Sequence, residues 1–281
     1  VSFISRQLAK MNFRTKTNHA NPPCNKIIFE EYFGDRFLKE NHESIQRKYI
    51  DVYWTNYYIS KNYANGDLSD LQDYLNSLDK NQKYFTVCQW DDGIKNDVDG
   101  LDLFTFASGG VGDYCYALNS MPHGVKCSNK RDIIASFVGC INGRHEVREK
   151  MNSTMQNLQG VLISETIDYN SFLNILSRSV FSLCPRGYGK TSFRIGESLE
   201  AGCVPVYIYD DPWIPFSDMI NFEEYGILCH IKEISRLYDK LCRITLDEVQ
   251  DLINKGQEVY KEYYAFEGCY NKIINKLEGM K

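Results

Sequence analysis

The stretch CPRGYGKTSFR, Cys184 to Arg194, concentrates residue types that hold phosphate. Arg186, Lys190 and Arg194 place three positive charges within nine residues, and Gly187 and Gly189 open the backbone between them. A nucleotide-hydrolysing loop of pattern G-x-x-x-x-G-K-[ST] is the first chemistry to test, because its glycines let backbone amides wrap a phosphate. Only its second half is present, as Gly189-Lys190-Thr191; the first glycine is replaced by Cys184, and Pro185 has no N–H to donate. What remains is a diphosphate site built from Arg186, Gly187, Tyr188, Lys190, Thr191, Ser192 and Arg194, whose cations neutralise the charge without a metal.

Glu197 lies about one turn further on. A carboxylate there accepts hydrogen bonds from both ribose hydroxyls of a nucleotide. The plain alternative is an i,i+3 ion pair with Arg194, worth a few tenths of a kcal/mol. Asp210 and Asp211, after VPVYIY, are candidates for sugar hydroxyls, and Arg144 and Arg148 in GRHEVREKM for further phosphate contact. Asp97-Val98-Asp99 raises a different chemistry, a divalent metal bridging the diphosphate.

These residues must be positioned by regular elements. VFSLC reads as a buried strand, PRGYGKTS as a loop, TSFRIGESLEAG as a helix capped by Thr191 or Ser192 and ended by Gly202, and CVPVYIYDD as the next strand. The loop then delivers free amides and a helix N-terminus to the carboxyl edge of a parallel sheet, where ligands of such folds bind. DIIASFVG and GVLISE read as further strands of the same half. In the first half NKIIFEEYF, KYIDVYWTNYYIS and KYFTVCQW read as strands, with a helix over SDLQDYLNSLD carrying Leu71, Leu75 and Leu78 on one face. Thr245 and Glu248 form a capping box before a helix, and a last helix carries Tyr270, Ile273, Ile274 and Leu277.

Alternating strands and helices in both halves predict an α/β protein of two doubly wound units. The boundary is expected in MPHGVKCSNKR, giving units over 1–125 and 126–281, with terminal helices that cover a sheet face or cross back to the first unit.

With 281 residues, 43% hydrophobic and 25% charged, the chain has ordinary globular composition. Its net charge of −5 argues against nucleic acid as a partner. The aromatic content is 14%, with 20 Tyr, which suits either glycan contact or a thick core edge. Ten cysteines without C-x-x-C spacing, among them Cys88, Cys140, Cys184 and Cys203, read as small buried thiols of a reducing, cytoplasmic compartment. The opening VSFISRQLAKMNFRTK contains no apolar run long enough for a signal or a membrane span, nor does any later stretch, and Val1 is not expected to be the native start.

The block FSLCPRGYGKTSFRIGESLEAGCVPVYIYDDPWIPF resembles the signature of the exostosin-like glycosyltransferases, glycosyltransferase family forty-seven. In that family C-P-R-G, S-x-R, E-x-L-x-x-G-C-x-P-V and D-x-x-x-P-F follow in this order. NKIIFEEY, DVYWTNYYIS and KRDIIASFVGCINGRHEVREKM resemble other family segments. The resemblance implies a GT-B fold, with two Rossmann-like domains facing across a cleft, and inverting transfer of a sugar from a nucleotide diphosphate sugar, usually a UDP-sugar; the loop's own cations add the expectation that this transfer is metal-independent. The short chain resembles compact members encoded by large algal viruses, among which a chlorovirus β-xylosyltransferase acting on an N-glycan is the nearest likeness. That likeness implies UDP-xylose as donor, an oligosaccharide or N-glycan as acceptor, and a host cytoplasm as location. Galactose, glucose and glucuronic acid remain open as donor sugars.

Inverting transfer needs a base that takes the acceptor's proton. Asp92 or Asp91, at the carboxyl end of KYFTVCQW, is the first choice, against a plain solvated turn before Gly93. Glu30, Glu31 and His123 are alternatives, His123 reading otherwise as a hinge residue. A metal-dependent GT-A enzyme using Asp97 and Asp99, and a silent nucleotide-sugar or glycan binder, are the competing readings.

Overall fold

The computed structural model describes residues 13–16, 27–125, 128, 130–141, 145–165 and 168–280. They form two compact α/β units, one of residues 1–116 with 270–281, the other of residues 117–269.

The first unit carries α1 (Phe29–Phe37), β1 (Lys48–Tyr49), α2 (Trp54–Ser60), α3 (Ser69–Asn76), β2 (Lys83–Cys88), β3 (Asp102–Ala107) and β4 (Tyr114–Cys115). Its sheet has the order β1-β2-β3-β4, parallel throughout. Two segments expected as strands are helices. In FEEYFGDRF the rings of Phe29, Phe33 and Phe37 recur every fourth residue, one face of a helix, and Phe29 and Phe33 are fully buried. In WTNYYIS, Trp54, Tyr57 and Tyr58 share a face in the same way, leaving only Lys48–Tyr49 as strand. Aromatic and β-branched composition suggests strands there, but burial of these rings at helical spacing decides the outcome. The helix over Ser69–Asn76 forms as expected, with Leu71 and Leu75 buried.

Much of the aromatic content is core. Phe33 packs against Phe37, Tyr49, Phe85 and Tyr270 at centroid distances of 5.1 to 6.2 Å, and Tyr53, Tyr58, Tyr116, Tyr207 and Tyr225 are fully buried. Each such ring contributes about 2–3 kcal/mol relative to exposure.

The second unit runs β5 (Ile133–Val138), α4 (Glu146–Met155), β6 (Val161–Ser164), α5 (Tyr169–Arg178), β7 (Ser179–Pro185), α6 (Arg194–Glu200), β8 (Val204–Tyr209), β9 (Ile227–His230), α7 (Ile234–Arg243) and α8 (Leu246–Val259). The parallel sheet has order β6-β5-β7-β8-β9. Apolar residues of α4 and α7 join one core cluster, and Phe172, Leu176, Ala201 and Cys203 another, as helices on both faces of a buried sheet require. The capping box of Thr245 and Glu248 forms, and Gly202 adopts φ 66°, so both helix punctuation signals hold. A π-helical turn, Tyr260–Tyr264, leads to α9 (Phe266–Glu278).

The units divide after Tyr116, not after residue 125, because residues 117–124 are bonded within the second unit: Asn119 Nδ2 donates to Tyr264 O at 3.0 Å, and the amides of His123 and Gly124 donate to Glu200. The tail from Tyr270 belongs to the first unit, where Tyr270 Oη donates to Glu40 at 2.7 Å, Arg36 lies 4.2 Å over its ring, and Ile273 and Leu277 are buried. Cys88, Cys184 and Cys203 are buried as expected, whereas Cys140 is exposed because it lies beyond Gly139, past the end of β5. Among the described residues no helix is long and apolar enough to cross a membrane.

Candidate functional site

The second sheet reverses direction between β5 and β7: the chain passes from β5 outward to β6, then returns to β7 on the other side. At such a switch point the loops leaving the two neighbouring strands part, and a crevice opens beyond their carboxyl ends. The loop that leaves β7 here is Arg186–Phe193, the one singled out by its charges. Arg148 ties it to the loop leaving β5, since its Nε donates to Arg186 O at 3.0 Å and its Nη1 to Cys140 O at 2.8 Å. A Cβ on Gly187 would lie 3.1 Å from Arg148 Nη2, so glycine there lets the two loops approach.

Each of the loop's cations rests on a fixed partner. Arg186 donates from Nε to Gly189 O (3.2 Å), from Nη2 to Tyr188 O (2.9 Å) and from Nη1 to Asp210 Oδ1 (2.8 Å). Those bonds use three of the guanidinium's five N–H groups and leave two for a ligand. Lys190 Nζ sits 2.6 Å from Asp211 Oδ2 and 5.9 Å over the Trp213 ring. Arg194 Nη2 donates to Val138 O at 2.6 Å, Nε lies 3.3 Å from Glu197 Oε2, and the guanidinium covers Phe172 at 4.3 Å. Thr191 and Ser192 are buried beneath, while Tyr188 is 64% exposed.

Two details differ from expectation. The helix after the loop starts at Arg194 behind Phe193, which makes no side-chain cap; Ser192 Oγ accepts from Arg194 N at 3.3 Å, and Thr191 does not cap. Not all loop amides are free either, since Arg186 N donates to Ile208 O and Gly187 N to Thr191 O. The recognition chemistry of this loop therefore lies mainly in its side-chain cations.

Asp210 sits at the centre of the charge pattern. Burial raises its pKa, but the hydrogen bond and charge of Arg186 outweigh that and hold it below the usual carboxylate range. His145 Nε2 lies 3.6 Å from its Oδ2. His145 was not singled out in the sequence, and no spacing signal marks it.

Glu197 is buried. Burial pushes its pKa up, yet the Arg194 charge and the His123 hydrogen bond bring it below the ordinary value. The i,i+3 ion pair with Arg194, the plain alternative to ribose contact, is present, and His123 Nε2 is a second partner at 3.3 Å. The other ring nitrogen of His123 has a partner as well, because Nδ1 stands 2.6 Å from Tyr169 Oη. His123 is thus neither a hinge residue nor placed to take a proton from an acceptor. Arg144 lies outside the described residues.

In the first unit Asp91 and Asp92 follow β2 at its carboxyl end, in a turn where Gly93 has φ 70° and its N–H donates to Trp90 O. Asp92 Oδ2 is 3.4 Å from Lys95 Nζ. The neighbouring loop leaves β3 and packs against this turn: a Cβ on Gly109 would lie 2.4 Å from Asp91 Cα and 2.6 Å from Trp90 O. Backbone atoms cannot step aside, so Gly109→Ala is expected to destabilise the fold by about 1–3 kcal/mol. Thermal unfolding measures this, and an unchanged Tm would show that the turn is not braced as described.

Glu30 and Glu31 lie within α1 and not after a strand. Glu30 is fully buried and accepts from Thr55 N and Thr55 Oγ1, both at 2.9 Å, and from Gln89 N; burial pushes it up to about 7 against these hydrogen bonds. Glu31 accepts from Asn56 Nδ2 at 2.7 Å. Both carboxyls bind α1 to its neighbours and are closed to an acceptor sugar. Asp97 Oδ1 accepts from Asp99 N at 2.8 Å, a local turn contact, and among the described residues no group of His, Cys, Asp or Glu has the arrangement of a metal site.

A switch-point loop that presents guanidinium and ammonium groups defines the second unit as an α/β unit suited to a phosphorylated ligand. Residues 114–243 match the family model described as the Exostosin GT47 domain, a stretch that contains both switch-point loops and Glu197. A "Probable glucuronosyltransferase" of Oryza sativa subsp. japonica is 39% identical over 74 residues, 26% of this chain and 17% of that protein. A "Probable glycosyltransferase" of Arabidopsis thaliana is 31% identical over 109 residues, 38% of this chain and 23% of its own length. The matched stretch spans less than a quarter of either relative. A solved glycosyltransferase from Rickettsia africae covers 99% of this chain and 88% of its own at 11% identity, with a TM-score of 0.40, too low to carry an inference.

Proposed function

We propose that this chain is an inverting, exostosin-like glycosyltransferase that moves a sugar from a UDP-sugar to a hydroxyl of a glycan without a metal ion. The observation that carries the reading is the β7 loop, which brings Arg186, Lys190 and Arg194 to the switch point of a parallel sheet within the segment matched by the Exostosin GT47 model. Asp210 and Asp211 orient Arg186 and Lys190 and leave N–H groups on both for diphosphate oxygens. The acceptor oxygen attacks the anomeric carbon, its proton passes to the base, and the bond to the diphosphate oxygen breaks with its electron pair leaving on UDP. Arg186, Lys190 and Arg194 stabilise that charge, and Glu197 holds the ribose. Asp92 is the proposed base, with Asp91 as its alternate.

For the donor sugar, the compact-enzyme likeness favours xylose and an N-glycan acceptor. The relatives' names favour glucuronic acid as a second reading. Calorimetric titration with UDP in EDTA, then with Mn²⁺, tests the site first. Binding in both media is the expected result. Binding only with Mn²⁺ would transfer the diphosphate to a metal and sink the metal-free reading. Turnover with UDP-xylose and UDP-glucuronate then separates the donors, and UDP binding without turnover of any UDP-sugar would favour a silent binder.

A further inference from the structure

His123 is 2% exposed and is gripped by one helix at both its side chain and its main chain. Its Nε2 lies 3.3 Å from Glu197 Oε1 and 3.4 Å from Ser120 Oγ, while the amides of His123 and Gly124 donate to Glu200 Oε2 and Oε1 at 2.9 and 2.6 Å. Glu197 and Glu200 are one turn apart on α6. On the far side of the ring Nδ1 meets Tyr169 Oη of α5 at 2.6 Å.

A neutral imidazole has one donor and one acceptor nitrogen. The Glu197 carboxylate, ionised beside Arg194, can only accept, so Nε2 carries the proton and Nδ1 accepts from the Tyr169 hydroxyl. We propose that His123 is a positioning residue: fixed in one tautomer by Tyr169, it holds Glu197 in the orientation that receives a ribose diol. This rests on the reading of Glu197 as the ribose contact. Arg194 Nε lies 3.3 Å from Oε2 as an ion pair without hydrogen-bond geometry, and His123 Nε2 lies 3.3 Å from Oε1, so one nitrogen faces each carboxylate oxygen. The remaining lone pairs form a two-point acceptor matched to vicinal hydroxyls. Without His123 the carboxylate keeps only Arg194, and the second point is lost.

The test compares UDP with 2′,3′-dideoxy-UDP by calorimetry. Wild-type protein is expected to prefer UDP by about 10–100-fold, the span of hydrogen bonds to a charged group. His123→Ala should lower that preference by about tenfold and leave dideoxy-UDP affinity unchanged, while His123→Gln, whose amide can still donate to Glu197, should restore most of it. Equal losses on both ligands, or an intact preference, in His123→Ala would overturn the proposal while leaving Glu197 its role. A wild-type protein that does not distinguish the ligands, or binds neither, would remove the ribose reading and this proposal with it. Should His123→Ala fail to fold, ¹⁵N shifts of the wild-type ring decide: Nε2–H is expected, and Nδ1–H would refute the arrangement.

Discussion

Arg186→Ala is expected to lower turnover by about 100-fold or more, the loss that follows removal of a charged donor to a departing oxyanion. Two effects act together. On the proposed reading the diphosphate loses its donor, and Asp210, held below the usual carboxylate range by that guanidinium, loses its Arg186 partner beside the proposed phosphate position. The double variant Arg186→Ala/Asp210→Asn should therefore recover part of the loss, a coupling that two independent sites would lack. Steady-state kcat and kcat/KM with the UDP-sugar measure both variants, and near wild-type turnover in Arg186→Ala removes the assignment. Arg186→Lys is expected to fall between, since an ammonium has only three N–H groups and, if it kept the contacts to Tyr188 O, Gly189 O and Asp210, would have none left for a ligand.

As the proposed base, Asp92→Asn is expected to leave UDP affinity at the wild-type level and to lower transfer by about 10²–10⁴-fold, the contribution of a positioned general base. Its ion pair with Lys95 is half-exposed and adds little stability, so the substitution should not unfold the protein. Calorimetry with UDP and a transfer assay on the same preparation separate binding from chemistry. Turnover within a few-fold of wild type would exclude Asp92, and abolition by Asp91→Asn alone would move the role one residue back.

The second unit was largely legible because its strands are continuous apolar runs ended by Gly, Pro and charged residues, the pattern of a sheet buried on both faces. The first unit was harder. Phe29, Phe33 and Phe37 and the group Trp54, Tyr57 and Tyr58 carry helical spacing in plain view, but residue types that favour strands mask it. At the site, the clustered cations and Glu197 were readable from local spacing. The partnerships of Arg186 with Asp210 and Lys190 with Asp211 were not, because they depend on register: Pro185 pairs with Ile208, which brings residues 24 and 21 positions apart side by side. His123 was visible only as a histidine near Pro122 and Gly124, and its commitment to Glu197 and Tyr169 joins segments with no shared periodicity.

The tail from Tyr270 completes the first unit, while every residue of the second unit lies between that tail and the rest of its own unit. A ribosome therefore finishes the second unit's residues before those of the first, and residues up to Tyr116 must wait about 150 residues for Tyr270, Ile273 and Leu277 to close their core. At ordinary synthesis speeds that wait lasts about ten seconds or more, with the Phe33 cluster lacking its Tyr270 wall. Of the two units, the one begun earlier is thus sealed later, and nascent-chain quality control would meet it open.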